Sequence, residues 1–267
     1  MQSRLIGLIL LLSPFLNIKT QNLEERLRLN VSESTVIDID NLGNIYNISR
    51  EGKIVKRDFK GRVIQINSPT KYGSANLIEA KDPLKPLLFY KDYGRIQILD
   101  QKLSIKSEID LNSLGVFNAA SIAYSSENNY WVYDLDQQQL KKYSQQFKLI
   151  SESMDLRQIL DKELSPIQIQ EANNAIYVLD AENGIYIFDQ FGKFEKRIPF
   201  NDCKYFHVDG DLIYYIDNSF FHIYHQKSLQ SVNLLLNELN KNSLISIQGK
   251  RLILLNKNKL VLYQIVL

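Results

Sequence analysis

A repeat of about 40 residues runs through most of this chain and limits the folds open to it. Six segments share one order: a β-rich run, a polar turn, a second β-rich run, another turn and a third run, as in NAIYVLDAENGIYIFDQFGKFEKRI, residues 174–198. One large apolar residue aligns across the copies: Tyr46, Phe89, Trp131, Tyr177, Tyr214 and Ile253. These positions are 43, 42, 46, 37 and 39 residues apart, so each copy is predicted to be one structural unit.

Turn-forming residues punctuate every copy. Three positions after the large residue stands a short polar one: Ser49, Asp92, Asp134, Asp180, Asp217 and Asn256. Such side chains bond to their own backbone in tight turns. A further β-like run precedes each hairpin, so a full copy holds four short strands, the content of one propeller blade. We therefore predict an all-β, six-bladed β-propeller, since six copies at one pitch favour radial repetition over a sandwich.

The last copy is one strand short. It ends at Leu267 after three predicted strands, whereas a spare β-like run, LEERLRLNV, spans residues 23–31 ahead of the first full copy. Pairing this run with the strand at residues 259–267 would remove two exposed sheet edges at once. The N-terminal strand is thus predicted to close the last blade.

The first twenty residues differ from the repeats. Arg4 precedes an apolar run at residues 5–16, and polar residues follow it. This order is typical of a secretory signal peptide, and the run is shorter than the roughly 20 residues that span a bilayer. We predict a signal peptide at residues 1–20, with an uncleaved anchor as the alternative, and a single propeller domain at residues 21–267. The protein is then expected outside the cytoplasm: periplasmic, associated with the outer membrane, or secreted. No membrane span is predicted in the mature chain.

Charge argues against nucleic acid as a partner. The chain has 32 Lys plus Arg and 30 Asp plus Glu; residues 1–20 hold two of the bases and no acid, which leaves 30 against 30. A nucleic-acid binder needs a strongly basic face, and this balance predicts none. The single cysteine, Cys203, allows no internal disulfide and is expected to be buried at the start of a strand.

Two links between copies have helical spacing. Leucine and isoleucine recur every three to four residues in MDLRQILDKELSP, residues 154–166, and in NLLLNELNKN, residues 233–242. We expect at least one turn of helix in each.

Two stretches resemble a known family of propellers. DYGRIQILD, residues 92–100, and GNIYNISREGKIVKRDFKG, residues 43–61, are similar to the repeats of six-bladed NHL-type propellers and of their TolB-like relatives. The resemblance implies a six-bladed fold that binds proteins, peptides or other polymers on the faces of the disc. Some related six-bladed proteins are metal-dependent lactonases or hydrolases, but their motifs have no residue-by-residue counterpart here.

Candidate binding residues follow from the predicted geometry. The innermost strands line the axis of a propeller, so the polar residues predicted to surround the channel are Asp38, Glu79, Gln168, His207 and Ser246, with Ala123 in the remaining blade. We interpret them as groups that form hydrogen bonds in a water-filled channel. The alternative is that they bind a divalent cation. The aligned aromatic residues are expected to pack between blades, whereas Tyr72 and Tyr93 in loops and Phe117 ahead of a strand are candidates for a binding surface.

No catalytic signature, cofactor motif or metal-binding motif occurs in the sequence. We therefore predict a non-enzymatic binding or scaffolding propeller that docks another envelope or secreted macromolecule, most simply a protein, as a monomer or as a subunit of a larger complex. The alternative is a metal-dependent lactonase-like or hydrolase-like enzyme that uses the polar residues of the channel.

Overall fold

In a computed structural model, residues 22–69, 71–160, 162–236 and 238–267 are described, and they form six four-stranded antiparallel sheets. The predicted signal peptide at residues 1–20 lies outside the described residues. Helix in the described part is confined to three single 3-10 turns, and none of them is long and apolar enough to cross a membrane.

The strands are numbered in chain order from β1 (Asn22–Asn30). Blade 1 contains β2 (Val36–Ile39), β3 (Ile45–Ile48), β4 (Ile54–Arg57) and β5 (Val63–Asn67). Blade 2 contains β6 (Leu77–Glu79), β7 (Leu87–Tyr90), β8 (Arg95–Leu99) and β9 (Ile105–Asp110). Blade 3 contains β10 (Ala119–Tyr124), β11 (Tyr130–Asp134), β12 (Gln139–Tyr143) and β13 (Leu149–Glu152).

Blade 4 contains β14 (Pro166–Ala172), β15 (Ala175–Asp180), β16 (Gly184–Asp189) and β17 (Phe194–Ile198). Blade 5 contains β18 (Tyr205–Asp209), β19 (Leu212–Ile216), β20 (Phe220–His225) and β21 (Gln230–Leu235). Blade 6 contains β22 (Leu244–Gln248), β23 (Arg251–Asn256) and β24 (Lys259–Val266), completed by β1. The predicted six-bladed propeller is confirmed.

The N-terminal strand closes the ring as predicted. β1 pairs with β24 in antiparallel register, from Asn22 opposite Val266 to Asn30 opposite Lys259. After the strand ends, the Val31 N–H still donates to the Asn258 carbonyl at 2.8 Å. The pairing supplies blade 6 with its fourth strand and leaves no gap between the first and last blades.

The hydrophobic core is divided among six wedges, each between two successive blades. The aligned large residues all lie in these wedges, and each is at most 4% exposed: Tyr46, Phe89, Trp131, Tyr177, Tyr214 and Ile253. Large side chains at one register fill the same wedge in every blade. The predicted packing role of this stripe is confirmed, and Cys203 is buried as expected.

The same turn recurs at the third hairpin of four blades. A polar side chain at its first position accepts hydrogen bonds from the backbone N–H groups two and four residues later. The four residues are Asp58, Asp100, Ser144 and Asp189. This local bonding explains why short polar residues end the third strand of these blades.

The two predicted helical links differ. Leu156–Gln158 forms a 3-10 turn in which the Asp155 side chain accepts a hydrogen bond from the Arg157 N–H, which confirms the helical turn in that link. The prediction for residues 233–242 is wrong within the described residues. Asn233 belongs to the outer strand β21, where it pairs with His222 of β20, and Leu234 and Leu235 continue the same ladder instead of a helix.

Antiparallel strands define two ends of the disc. The turns after the first and third strands of each blade emerge at one end, here called the hairpin face. The turns after the second strands and the links between blades emerge at the other end, here called the link face. The first strands of neighbouring blades contact one another around the axis, as in β2 with β6 and β14 with β18.

Candidate functional site

A cavity of about 440 Å³ occupies the axis of the ring. Its wall is made by the first strands of the blades and reaches the turns at both faces. Each of the polar residues predicted for the channel contributes to this wall: Asp38, Glu79, Gln168, His207 and Ser246. The sequence pattern therefore brings five residues from five blades to one cavity.

Polar side chains of the channel join neighbouring blades across the point of closure. Asp38 of blade 1 accepts a hydrogen bond from the Ala80 N–H of blade 2 at 2.6 Å. The Ser246 hydroxyl of blade 6 donates to the other oxygen of Asp38 at 2.5 Å. One carboxylate thus links three blades.

Side chains of the innermost strands also join blade 2 to blade 3 and blade 4 to blade 5. Glu79 accepts from the Tyr124 N–H of blade 3 at 2.8 Å. The Gln168 amide of blade 4 accepts from the Phe206 N–H at 3.1 Å and donates to the Phe206 carbonyl at 2.9 Å, so it pairs with β18 as a backbone peptide would. Gln170 forms both bonds with Val208 at 3.0 Å.

Two residues that were not predicted complete the ring of contacts. Glu171 of blade 4 accepts from the Ser126 N–H of blade 3 at 3.0 Å, and the Tyr205 hydroxyl of blade 5 accepts from the Ile247 N–H of blade 6 at 2.9 Å. Innermost strands have one open edge facing the axis, and an unpaired buried N–H is costly. These side chains satisfy that edge, which gives the polar residues of the channel a structural role.

Burial shifts the ionisation of the channel groups. Burial raises the pKa of Asp38 to about 6, against the opposing hydrogen bonds from Ser246 and Ala80. Burial also raises the pKa of Glu79 to about 7, although the Tyr124 N–H lowers it. Burial lowers the pKa of His207 to about 4, so its imidazole is neutral at pH 7. The channel therefore has two carboxyl groups that take up protons near neutrality.

Metal ligands are not grouped in the described part of the chain: no three His, Cys, Asp or Glu side chains there are close enough to hold one ion. The wall also includes Lys204, whose buried Nζ has no hydrogen-bond partner among the described residues. Burial lowers the pKa of this ammonium.

Tyr72 and Tyr93, the two loop aromatics chosen from the sequence, contact each other. Their ring centroids are 5.0 Å apart on the link face, at the junction of blades 1 and 2. The Tyr72 hydroxyl donates to Glu108 at 2.7 Å, and Lys71 pairs with the same carboxylate at 3.0 Å. The Tyr72 hydrogen bond, followed by that from Gln97, lowers the pKa of Glu108 to about 2. Tyr72 is thus fixed in place, while Tyr93 remains 52% exposed.

Other large apolar side chains are exposed in the links of the same face. Phe117, in the link from blade 2 to blade 3, is 72% exposed. Met154 and Ile159, in the link from blade 3 to blade 4, are 63% and 45% exposed. We refer to Tyr93, Phe117, Met154 and Ile159 as the link-face arc. The sequence had indicated Tyr93 and Phe117 of these as candidates for a surface. It had placed Ile159 in a helical spacing, and Met154 is an isolated apolar residue without a periodic signal.

Comparison with known proteins supports the fold. No protein family and no curated protein sequence matches the chain. A streptogramin B lyase structure is 14% identical, with a TM-score of 0.66 over 92% of this chain and 98% of that one. Virginiamycin B lyase from Staphylococcus aureus is 12% identical, with a TM-score of 0.63 over 92% of this chain and 100% of that one.

A third similar structure is that of a different protein. The Swd1 β-propeller domain from Myceliophteria thermophila is 9% identical, with a TM-score of 0.65 over 92% of this chain and 100% of that one. At such identities, similarity establishes the propeller fold and carries no activity with it.

Proposed function

We propose that this chain is an exported, non-catalytic binding propeller that docks another protein of the envelope or a secreted protein on its link face. The observation that carries the proposal is the link-face arc. Its four large apolar side chains lie in the turn after β7 and in the links from blade 2 to blade 3 and from blade 3 to blade 4, and each is at least 45% exposed. Several large apolar side chains exposed on one face of a protein are typical of protein interaction sites.

Aromatic residues strengthen the assignment to a protein partner. Phe and Tyr are enriched at the centres of interfaces, where burial of a ring contributes much of the binding energy. Tyr93 packs against the ring of Tyr72, and the Tyr72 hydroxyl donates a hydrogen bond to Glu108. A ring held in this way loses little conformational freedom on binding.

The channel residues are assigned to the scaffold. Asp38, Glu79 and Gln168 are engaged with backbone groups of the next blade, so their position in the wall follows from the need to satisfy open strand edges.

Export is proposed from the composition of residues 1–20. Fractionation of the source cell, with N-terminal sequencing of the mature protein, tests it. We expect the protein outside the cytoplasm and lacking its first twenty residues; a cytoplasmic protein with an intact N-terminus would contradict export.

An enzyme of the hydrolase or lactonase class is the second candidate. Asp38 and Glu79 line one cavity with raised pKa values, which is the property of groups that transfer protons or bind cations. Metal analysis of the purified protein tests the metal-dependent form. Stoichiometric metal in the parent that is lost in Asp38→Asn and Glu79→Gln would favour this candidate over the first.

Site-specific photo-crosslinking tests the docking proposal. A photoreactive phenylalanine analogue is placed at Phe117 in the arc or at Phe191, which is 67% exposed on the hairpin face and serves as the matched control. In intact cells, we expect one discrete protein adduct from position 117 and none of that mass from position 191. Absence of an adduct at position 117, or the same adduct at both positions, would contradict docking on the link face.

A further inference from the structure

A second surface lies on the opposite, hairpin face of the disc, at the closure between blades 6 and 1. A cleft of about 710 Å³ runs between the β1–β24 pair and two turns of blade 1. The turns contribute Leu42 and Phe59, which are 64% and 55% exposed, and β1 contributes Leu27. We refer to it as the seam cleft.

The two turns that carry these apolar side chains are held rigidly. Asp40 accepts hydrogen bonds from the N–H groups of Leu42 and Asn44 at 2.9 and 2.8 Å. Asp58 accepts from those of Lys60 and Arg62 at 3.0 and 2.9 Å. The conformations of the two turns therefore hold Leu42 and Phe59 in exposed positions.

The wall of the cleft is cationic. Arg26, Lys60 and Arg251 contribute to it, and no carboxylate is among the described residues of the wall. The nearest aspartates of the turns are already engaged: Asp58 pairs with Arg62 at 2.6 Å, and Asp40 accepts from the Tyr46 hydroxyl at 3.0 Å. Arg26 pairs with Glu24, but within the described residues Lys60 and Arg251 form no ion pair.

We propose that the seam cleft binds an acidic peptide segment with large apolar side chains, supplied by a partner protein. The apolar side chains would cover Leu42 and Phe59, and the carboxylates would pair with Lys60 and Arg251. Charge complementarity selects this occupant, because a basic segment would be repelled and a purely apolar one would leave the cations unpaired. The cleft is on the other face from the link-face arc, so the inference does not depend on docking there and gives the scaffold a second binding surface.

Fluorescence anisotropy with purified full-length protein tests the charge requirement. The probe is a fluorescein-labelled peptide of alternating Glu and Leu, about twelve residues long, and the control probe has Lys in place of Glu. We expect saturable binding of the acidic probe and at least about tenfold weaker binding in the Lys60→Glu/Arg251→Glu variant. Lys102→Glu is the matched control, since Lys102 has the same position in the corresponding turn of blade 2. It should bind like the parent.

A second variant tests the apolar part. Gln101 has in the turn of blade 2 the position that Phe59 has in the turn of blade 1. Phe59→Gln therefore gives the blade 1 turn the residue found in blade 2 and leaves the charge unchanged. We expect about fivefold weaker binding. The inference is overturned by absence of saturable binding below about 1 mM, by equal binding of the Lys probe, or by unchanged binding in both variants. Competition by anionic lipid vesicles but not by unlabelled acidic peptide would also overturn it. Thermal melts confirm that each variant is folded, and because the assay uses no cellular partner, its failure is distinct from failure of crosslinking at position 117.

Discussion

The Glu79 carboxylate accepts a hydrogen bond at 2.8 Å from the backbone N–H of Tyr124, which lies on the innermost strand of the next blade. Equivalent bonds from other channel residues join the blades around the axis. The channel of this propeller therefore owes its polar lining to the open edges of its innermost strands.

Burial of the Glu79 carboxyl group predicts how stability depends on pH. The folded pKa of Glu79, about 7, lies above its ordinary value of 4.5, so the folded chain holds this proton more tightly than the unfolded chain does. The favourable contribution is present below about pH 4.5 and is lost as the pH rises through 7. Glu79 is only half-buried, which reduces the effect, and we expect a loss of about 1 to 2 kcal/mol in the free energy of unfolding from this group.

Glu79→Gln removes the titration but keeps an oxygen that can accept from Tyr124. Urea unfolding at pH 5 and pH 8 should show that the variant gains about 1 kcal/mol relative to the parent at pH 8 and little at pH 5. An equal difference at both pH values would contradict the assignment.

The closing strand should be essential to stability. Deletion of residues 1–30 removes the whole ladder between β1 and β24, and with it Leu27 and Leu29, which pack in the wedge between blades 6 and 1. We expect the melting temperature to fall by at least about 10 °C. Deletion of residues 1–21 alone, which leaves β1 intact, is the control. If both truncated chains melt at the same temperature, closure by β1 is wrong.

Gly61 is a second point where closure can be tested. Its φ is +83°, and a Cβ there would lie 2.6 Å from Leu29 Cδ2 of the closing strand. Gly115 also has positive φ, +78°, but a Cβ there would meet nothing within 4 Å. Chemical denaturation should show a cost of about 1 kcal/mol for Gly115→Ala, from backbone strain alone, and about 0.5 to 1 kcal/mol more for Gly61→Ala, because the Leu29 side chain must also shift. Equal costs would mean that the turn of blade 1 does not rest on β1.

Lys204 offers a stabilising substitution. Its buried Nζ lacks a hydrogen-bond partner among the described residues, and attraction by Asp217 and Asp202 offsets its desolvation only in part, because its pKa is lowered. Lys204→Met keeps the length of the side chain and removes the charge, and denaturation at pH 7 should show a gain of about 1 kcal/mol. Lys102→Met, at an exposed position, should change stability by less than about 0.5 kcal/mol. A loss of stability in Lys204→Met would show that the ammonium has a partner.

The fold was predictable because its determinants are periodic. Recurring large residues such as Trp131 and turn formers such as Asp58 indicate a blade in each copy of the repeat. The missing strand of the last blade followed from counting the predicted strands of each copy. The helix predicted at residues 233–242 failed because three successive leucines suit an outer strand as well as a helix, and only pairing of Asn233 with His222 decides between them.

The site was predictable only in part. Position in the first strand was enough to bring Asp38 and Glu79 to the channel. The contacts that define their role are between blades, about 40 residues apart in sequence, and no local pattern shows them. Tyr205 illustrates the limit, because only the folded ring brings its hydroxyl to the Ile247 N–H. Contact between Tyr72 and Tyr93 is of the same kind.

The central claim is that the link face binds a partner protein, whereas the polar residues of the channel stabilise the fold. It is tested most directly by the yield of the crosslinked adduct from position 117 in two backgrounds, Tyr93→Ala on the face and Glu79→Gln in the channel, with both proteins at equal abundance. We predict that Tyr93→Ala lowers the yield about tenfold and that Glu79→Gln leaves it unchanged. A yield that survives Tyr93→Ala and is lost in Glu79→Gln would contradict the account and assign function to the channel.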